Sequence, residues 1–459
     1  MTDYNEYLPD YCKQVLSMLN EAGYECYVVG GAVRDIVMGK HPSDYDVTTS
    51  AFPEETISVL EKRGIRYFPT GLKHGTVMAM IGSEKVEITT FRIDGEYCDM
   101  RHPDSVYFTR DIDGDVARRD FTMNAMYLDK NGEITDKVGG LSDIENGIIR
   151  AVGDPDLRFR EDALRIMRGL RFAAQTGFEI EEKTFRAMVE SAPLLKKISG
   201  ERIASELNSL VTAPYASSVI RRSVKILSVI IPELALCEKF DQKSRYHDRD
   251  VLEHILSTLD GIPVDKTLRT RDLSLALAAL LHDIAKPNCF YIGPSGSGHM
   301  KGHPAQSAVI ADRVLSELHY STNIRNEVVR LVRYHNYFIP VQNYSVHRFM
   351  CNCGPGFVRR LFILQRADIM AHSPTGQKSV WRIAGMEEVS DGLLAKGVVY
   401  SVTDLKISGA DLIEMGVEPG PGLGRILDDV FDAYLWGEVP NDHTELLEYV
   451  HRVIGNGSR

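Results

Sequence analysis

The chain has 459 residues, 44% of them apolar, and its 53 basic and 64 acidic side chains give a formal net charge of −11. This length predicts two to four packed domains, and no run of about eighteen apolar residues predicts a membrane span. The seven scattered cysteines exclude a disulfide framework, and the acidic balance excludes a protein that coats nucleic acid by bulk positive charge. We therefore expect a cytoplasmic protein without membrane contact.

The pattern of apolar residues changes along the chain. Short alternating strands and helices are predicted over roughly the first 140 residues, and helices dominate the remainder. We predict an α/β head at 1–145, a helical neck at 146–240, a compact helical unit rich in histidine at 241–376, and a helical tail at 377–459. The fold class is thus an α/β head followed by an elongated all-α body. The oligomeric state cannot be deduced from these patterns.

Within the head, alternation and turn residues place the individual elements. Strands are predicted at 25–29, 44–49, 76–81 and 85–91, and a helix at 32–38. The polar stretch from Asp94 to Asp115 is predicted to be a long loop, and loops of this length are usually functional or disordered.

Two aspartates follow a glycine turn in the head. In a strand, Asp44 and Asp46 share one face, and two close carboxylates favour a magnesium ion that could bridge the phosphates of a nucleoside triphosphate. A lone D-x-D pattern is weak, and a solvated strand end is the alternative. However, Gly30 and Gly31 precede a helix that carries Arg34, and exposed N–H groups at a helix start favour phosphate.

The string VVGGAVRDIVMGKHPSDYDVTT at 28–49 closely resembles the signature of class II tRNA nucleotidyltransferases and bacterial poly(A) polymerases, members of the DNA polymerase β superfamily. The resemblance implies that Asp44 and Asp46 bind catalytic magnesium, and that Gly31 and Arg34 contact the triphosphate. Glu87 is a candidate third carboxylate, since it lies on the strand face opposite Val86 and Ile88. An exposed strand glutamate without function is the alternative.

The segment RRDFTMNAMYLD at 118–129 is similar to the second motif of that family, in which an Arg-Asp pair reads the ribose and the phosphates. The resemblance assigns this role to Arg119, Asp120 and Asn124. An ordinary helix start capped by Asp120 is the alternative.

A helix predicted to begin near Leu157 carries Asp162 and Arg165 three residues apart, and therefore on one face. A carboxylate beside a guanidinium can pair with the Watson–Crick edges of cytosine and adenine but mismatches guanine and uracil. The segment also resembles the base-reading helix of the family. A surface ion pair is the alternative. Arg168 and Arg171 continue this face as candidate phosphate ligands.

Further segments extend the resemblance over nearly the whole chain. The helix GERIASELNSLV at 200–211 resembles the neck helix of the family. The loop at 94–115 matches the segment carried by enzymes that add the terminal A. LIEMGVEPGPGLGRIL at 412–427 resembles the tail. Its Gly416–Gly424 loop either presents N–H groups to RNA phosphate or merely connects two helices.

The second half of the chain contains a candidate metal site. His282 and Asp283 end a helix that is apolar nearly all round, and a buried charged pair needs a partner such as a metal ion. The order of His254, His282-Asp283 and Asp368 resembles the HD superfamily of metal-dependent phosphohydrolases. His303 and His335 could complete a two-metal site. The resemblance implies a divalent transition metal of unknown identity, and hydrolytic activity is left open.

Together these patterns predict template-independent addition of CCA to the 3′ end of tRNA from CTP and ATP, with possible accessory phosphohydrolase activity. Two alternatives are a poly(A) polymerase of the same family, and an HD phosphohydrolase with an RNA-binding head.

Overall fold

The computed structural model describes residues 4–95 and 105–456, with the side chains of Thr70 and of residues 453–456 left aside. The chain divides into two compact units. The first comprises 1–235 with 266–270 and 316–320, and the second comprises 236–265, 271–315 and 321–459. The predicted α/β head followed by helical regions is confirmed. The predicted boundaries at 145, 240 and 376 stay predictions. No helix in the described part of the chain is both long and apolar enough to cross a membrane.

The strands lie mostly in the head. They are β1 Cys26–Val29, β2 Asp46–Thr49, β3 Tyr67–Gly71, β4 Thr76–Ile81, β5 Glu84–Thr90, β6 Arg92–Asp94, β7 Val106–Phe108, β8 Met126–Leu128, β9 Ile134–Asp136, β10 Ile148–Ile149, β11 Glu179–Ile180, β12 Tyr291–Ile292 and β13 Gly298–His299. Seven of them form one sheet in the order β3-β4-β5-β2-β1-β8-β9. Within that sheet β2 and β5 run parallel, which places the start of β2 beside the middle of β5.

The helices of the first unit alternate with these strands and then follow them. They are α1 Asp10–Glu21, α2 Gly31–Val37, α3 Pro53–Lys62, α4 Ile112–Ala117, α5 Gly140–Glu145, α6 Pro155–Glu161, α7 Leu164–Thr176, α8 Glu182–Ser191, α9 Gly200–Val211, α10 Ala216–Arg222 and α11 Val224–Leu227. The short α12 Glu233–Cys237 spans the division between the units.

The second unit is helical apart from the hairpin of β12 and β13. Its helices are α13 Val251–Gly261, α14 Leu273–Leu281, α15 His303–Glu317, α16 Thr322–Tyr334, α17 Asn343–Cys353, α18 Pro355–Met370, α19 Pro374–Gln377, α20 Val380–Ala395, α21 Gly409–Glu414, α22 Pro421–Trp436 and α23 His443–Asn456. Helix α14 is buried from Ser274 to its end at Leu281, as its apolar sequence LSLALAALL predicts.

The structure corrects three predicted elements. Strand β2 begins at Asp46, so Asp44 precedes it. The ends of the predicted loop at 94–115 are ordered as the β6–β7 hairpin and α4, because Arg92–Asp94 pairs with Val106–Phe108; residues 96–104 lie outside the described residues. The predicted Gly416–Gly424 loop is shorter than expected, because α22 already begins at Pro421, where proline is favoured in a first helical turn.

The prediction of one continuous helix through Asp162 is also wrong. Helix α6 ends at Glu161, and Asp162 is extended, with φ −138° and ψ 103°. Its carboxylate accepts a hydrogen bond from the Leu164 N–H at 3.0 Å, which caps the start of α7. An aspartate that bonds locally in this way competes with helix continuation, so the chain turns there.

Candidate active site

Three carboxylates meet at the centre of the sheet. Asp46 begins β2 and Glu87 lies on the parallel strand β5, where Val47 pairs with Ile88. Asp44 precedes them, while Tyr45 points inward and donates its hydroxyl to the Tyr7 carbonyl at 2.8 Å. Glu87 is exposed between buried Val86 and Ile88, so its predicted orientation is confirmed.

The charges around Asp46 fit a cation site. Limited hydration raises the pKa of Asp46, and the negative charges of Asp44 and Glu87 raise it further, against the opposing effect of Arg119. A divalent ion would relieve this repulsion, and oxygen donors suit magnesium. Among the described residues, groups of three or more ligand atoms within 4.8 Å of one another occur only in the second unit, so Asp44, Asp46 and Glu87 do not all lie that close together.

The glycine turn and the second motif meet beside these carboxylates. Gly30 has a φ of 72°, a conformation that favours glycine, and α2 starts at the next residue. Arg34 donates to the side-chain oxygen of Asn124 at 3.1 Å. This contact joins two segments that are 90 residues apart in the sequence.

Arg119 is fixed by a buried network that the sequence did not reveal. It donates to the Tyr127 hydroxyl and to Asp115 at 2.9 Å each. Burial by itself raises the pKa of Asp115, but Arg118 and Arg119 outweigh burial and lower it to about 2. Asp115 is therefore ionised at neutral pH and holds both arginines in place. The role of Asp115 was not predicted, because this residue lies at the end of the loop predicted at 94–115.

Asp120 does not cap a helix, so that alternative is wrong. The residues after it form a short 3₁₀ turn at Thr122–Asn124 and then β8. Its carboxylate instead pairs with Arg168 at 2.7 Å. Burial opposes ionisation of Asp120, yet Arg168 outweighs it and lowers the pKa to about 2. This ion pair connects the second motif to α7.

The structure corrects the predicted arrangement of Asp162 and Arg165. Because the chain turns at Asp162, the two residues do not share one helical face, and they have different partners. Asp162 pairs with Arg202 of α9 at 3.1 Å. Arg165 is buried, pairs with Glu161 at 2.7 Å, and donates to the carbonyl of Arg118 at 2.8 Å. The alternative prediction, a surface ion pair between Asp162 and Arg165, is therefore wrong as well.

All ten predicted nucleotide-binding residues line one cavity of about 540 Å³. Its lining comprises Gly30, Gly31, Arg34, Asp46, Arg118, Arg119, Asp120, Asn124, Asp162, Leu164, Arg165, Arg168, Arg171, Phe172, Gln175 and Arg202. Asp44 and Glu87 are not part of this lining. The lining residues Arg202, Phe172 and Gln175 were not predicted, although Phe172 and Gln175 lie on the same helix as Arg168.

A second cluster of ligands lies in the second unit and is almost completely buried. The Nε2 atom of His254 lies 2.9 Å from Asp368 and 3.1 Å from Asp283, and that of His282 lies 3.2 Å from Asp283. The other oxygen of Asp283 lies 3.1 Å from the Nε2 of His303 and 3.5 Å from that of His335. The structure thus brings together all six residues predicted for the HD site, with Asp283 between two ligand groups.

The donor set fits a metal. The Nδ1 atoms of His282, His303 and His335 each lie 2.6 to 2.8 Å from a backbone carbonyl. This contact places one proton on Nδ1 and directs Nε2 toward the carboxylates, where a metal ion can take the place of a second proton, as in histidines that bind metals. One oxygen of Asp283 correspondingly receives no hydrogen bond among the described residues. Lone pairs that face one another in a buried site require a cation between them.

Charges in this cluster are strongly coupled. Burial lowers the pKa of His282, but Asp283 and Asp368 outweigh burial and raise it to about 10. The sequence missed three neighbours: Lys286, whose ammonium lies 2.6 Å from Asp283, and the histidines His247 and His372. Lys286 lies three residues after Asp283 and His372 four residues after Asp368, so helical spacing could have found both, whereas the place of His247 depends on the tertiary structure.

Four known protein-domain families each match one stretch of the chain. They are the Poly A polymerase head domain at 26–150, the probable RNA and SrmB-binding site of polymerase A at 177–237, the HD domain at 250–371, and tRNA nucleotidyltransferase domain 2 at 386–450. The first contains the sheet carboxylates, and the third contains the six residues predicted for the HD site but not His247 or His372.

Full-length relatives decide the family. A CCA-adding enzyme from Leuconostoc mesenteroides is 32% identical over 443 residues, which cover 96% of each chain. Another from Streptococcus mutans is 31% identical over 464 residues, covering 99% of this chain and 98% of the relative. This chain belongs to the CCA-adding enzyme family. These relatives confirm CCA addition, the activity predicted from the sequence. They favour it over the two alternatives, a poly(A) polymerase and an HD phosphohydrolase.

Solved structures of CCA-adding enzymes share the fold. The Bacillus stearothermophilus CCA-adding enzyme in complex with CTP has a TM-score of 0.72 at 24% identity, covering 100% of this chain and 99% of that one. The Thermotoga maritima CCA-adding enzyme complexed with tRNA has a TM-score of 0.61 at 21% identity, covering 98% and 97%. At these identities the likeness supports the fold, while residue roles depend on the geometry above.

Proposed function

We propose that this protein adds C, C and A to the 3′ end of tRNA from CTP and ATP without a nucleic-acid template, in the cytoplasm. The observation that carries the proposal is the head cavity, in which the predicted base-reading residues Asp162 and Arg165 lie beside the phosphate-binding candidates Arg34, Arg119 and Arg168. One pocket therefore contains the groups for base choice and for triphosphate binding.

Asp44, Asp46 and Glu87 would hold magnesium, which when bound neutralises phosphate charge and activates the attacking 3′ hydroxyl. The residues of the chain do the rest. Arg119, held by Asp115 and Tyr127, and Arg34, held by Asn124, orient the triphosphate. Their positions are set in advance, so little reorganisation is needed when charge develops in the transition state.

Base choice would come from Asp162. One of its oxygens is occupied by the Leu164 N–H, and the other faces Arg202 and the cavity. That second oxygen can accept a hydrogen bond from the amino group of cytosine or adenine, a donor that uracil lacks at this position. Arg165 complements it by donating to the neighbouring ring nitrogen, which requires its guanidinium to loosen its contact with Glu161.

The HD cluster favours a second activity. We propose that His254, His282, Asp283 and Asp368 hold one divalent transition-metal ion, and that Asp283, His303 and His335 hold another. With Asp283 contributing to both groups, two such ions would suit hydrolysis of phosphate esters, since together they would bind the ester and supply an activated water. Nitrogen-rich ligands favour a transition metal over magnesium.

A direct assay tests the main proposal. tRNA that ends before CCA is incubated with labelled CTP and ATP, singly and together, and the products are sequenced. We expect two C residues from CTP alone and complete CCA from the mixture. Asp46→Ala should abolish incorporation, whereas Asp10→Ala, which removes an exposed head aspartate, should not. Long A tails on RNA that already ends in CCA would contradict the proposal.

A further inference from the structure

Beside the HD ligands lies a third group of histidines. His247 precedes α13, His254 lies on α13, and His372 follows α18. Their ring centroids are 4.4 to 5.2 Å apart, and one nitrogen of each ring lies within 4.8 Å of the other two. Two nitrogen ligands of one ion are separated by roughly 3 to 4 Å when each bond is about 2 Å, so this spacing suits a metal with little adjustment.

Two nitrogens in this group lack partners. The Nδ1 atoms of His247 and His254 are buried and have no hydrogen-bond partner among the described residues. His254 itself is completely buried. The histidines of the neighbouring ligand groups differ, because His282, His303 and His335 each have a backbone carbonyl at Nδ1. Buried polar atoms are normally satisfied, so these two nitrogens point to a ligand.

The chemistry of the group selects the ligand class. Three imidazoles offer borderline nitrogen donors, which favour zinc, nickel or cobalt over magnesium or calcium. Negative charge is also within reach, since the Nε2 of His372 lies 3.4 Å from Asp368. A phosphate group would fit poorly among ligand atoms this close together, and a single ion fits well.

We propose that His247, His254 and His372 form a third divalent transition-metal position next to the two proposed at the HD cluster. The proposal depends on that cluster, because His254 is shared between the groups. Lys286 determines the order in which metal ions bind to the three positions. Its ammonium lies 3.5 Å from the Nε2 of His247 and 2.6 Å from Asp283, so it repels an ion at either group; the three ligands of the third position include no carboxylate to offset this charge, and that position therefore fills last and binds most weakly.

Cobalt(II) alone serves as the probe. Metal-free full-length protein is dialysed against increasing Co²⁺, and the ions bound per chain are counted by mass spectrometry. The head carboxylates are the same in every variant, so differences between variants report the second unit. We expect His247→Gln/His372→Gln to bind one Co²⁺ fewer than the wild type, and Lys286→Met to fill its last position at about a tenfold lower Co²⁺ concentration. His299→Gln, which removes an exposed histidine, should match the wild type.

Other outcomes overturn the proposal. Equal Co²⁺ counts in the wild type and in the double variant would exclude a third position, as would the simultaneous loss of every ion from the second unit. Circular dichroism checks folding, and the single variant His372→Gln provides a second test if the double variant unfolds. If His282→Ala/Asp283→Ala binds as many ions as the wild type, the HD cluster itself fails, which is a separate result.

Discussion

At the scale of single residues, the arginines of the head cavity are already paired with carboxylates. The pairs are Arg119–Asp115, Arg165–Glu161, Arg168–Asp120, Arg171–Glu206 and Arg202–Asp162. A free arginine side chain would lose conformational entropy on binding a triphosphate, whereas a paired one is held in position. The acidic partners therefore help to build a phosphate site in a protein of negative net charge.

Base choice can be tested at Asp162. Asp162→Ala removes the acceptor for the amino group, so CTP and ATP should lose their advantage over UTP. A lost charged hydrogen bond of about 1.5 to 3 kcal/mol corresponds to roughly 10- to 150-fold. The measurement is kcat/KM for the four nucleotides on tRNA lacking CCA. Arg165→Lys, which keeps the charge but loses the planar fork, should weaken CTP and ATP together. Unaltered discrimination in both variants would show that these residues do not read the base.

Asp115 should give the head a pH-dependent stability. Its pKa of about 2 lies below the ordinary value of 3.8, so its contribution is fully present above pH 4 to 5 and is lost as pH falls toward 2. A lowering of nearly two units corresponds to about 2 kcal/mol. Asp115→Asn should therefore lower the free energy of unfolding at pH 7, and its difference from the wild type should shrink below pH 4. Denaturant unfolding measures this. Asp113→Asn, an exposed neighbour, should show no such trend.

At the scale of elements, α9 supports both functions of the cavity. Arg202 holds Asp162, and one turn later Glu206 holds Arg171 at 3.1 Å. Residues four apart lie on one face of a helix, so α9 presents both partners to the segment around α7. The family resemblance predicted a supporting helix at 200–211, and the structure has α9 at those residues.

The two contacts of α9 should affect different kinetic properties: Arg202–Asp162 the choice of base, and Glu206–Arg171 the KM for the nucleotides. Arg202→Met removes the ion pair that holds Asp162 in position, so we expect misincorporation of UTP to rise about 1.5- to 5-fold, as for loss of one partly exposed ion pair. Glu206→Gln removes the carboxylate that holds Arg171 in position, so the KM for CTP and ATP should rise about 2- to 5-fold with discrimination unchanged. Steady-state kinetics with each nucleotide checks both. If both variants change discrimination equally, α9 acts only as general support.

At the scale of the whole molecule, the two candidate sites draw their residues from different units. The head cavity uses residues between 30 and 202, and the histidine cluster uses residues between 247 and 372. Each set of ligands is complete without the other.

His282→Ala/Asp283→Ala should therefore remove metal-dependent hydrolysis and spare CCA addition. The double change deletes two ligands of the proposed ions, and activity that depends on those ions should fall to background. Hydrolysis of a nitrophenyl phosphate ester with Co²⁺ and CCA addition to tRNA are measured on the same preparation. His299→Gln is the control. Loss of addition in a variant that stays folded by circular dichroism would contradict the independence of the two sites.

The sequence alone determined several of the elements and part of each site. Strand alternation placed β4 and the outward face of Glu87, because these depend on neighbours along the chain. The apolar run before His282 predicted a buried helix end, and burial of a charged pair predicted a metal. Motif order was enough to predict the HD ligands, which the structure brings together.

Tertiary structure alone decided which charges meet. The turn at Asp162 arises from one side-chain hydrogen bond that interrupts a continuous helical pattern, and its partner Arg202 is 40 residues away. Asp120 reaches Arg168, 48 residues away, only because the second motif packs against α7, and His247 and His372 join His254 from segments 125 residues apart. Local propensity depends on adjacent residues, whereas the pKa of a buried group and the identity of its partner depend on distances in space, which one-dimensional spacing does not contain.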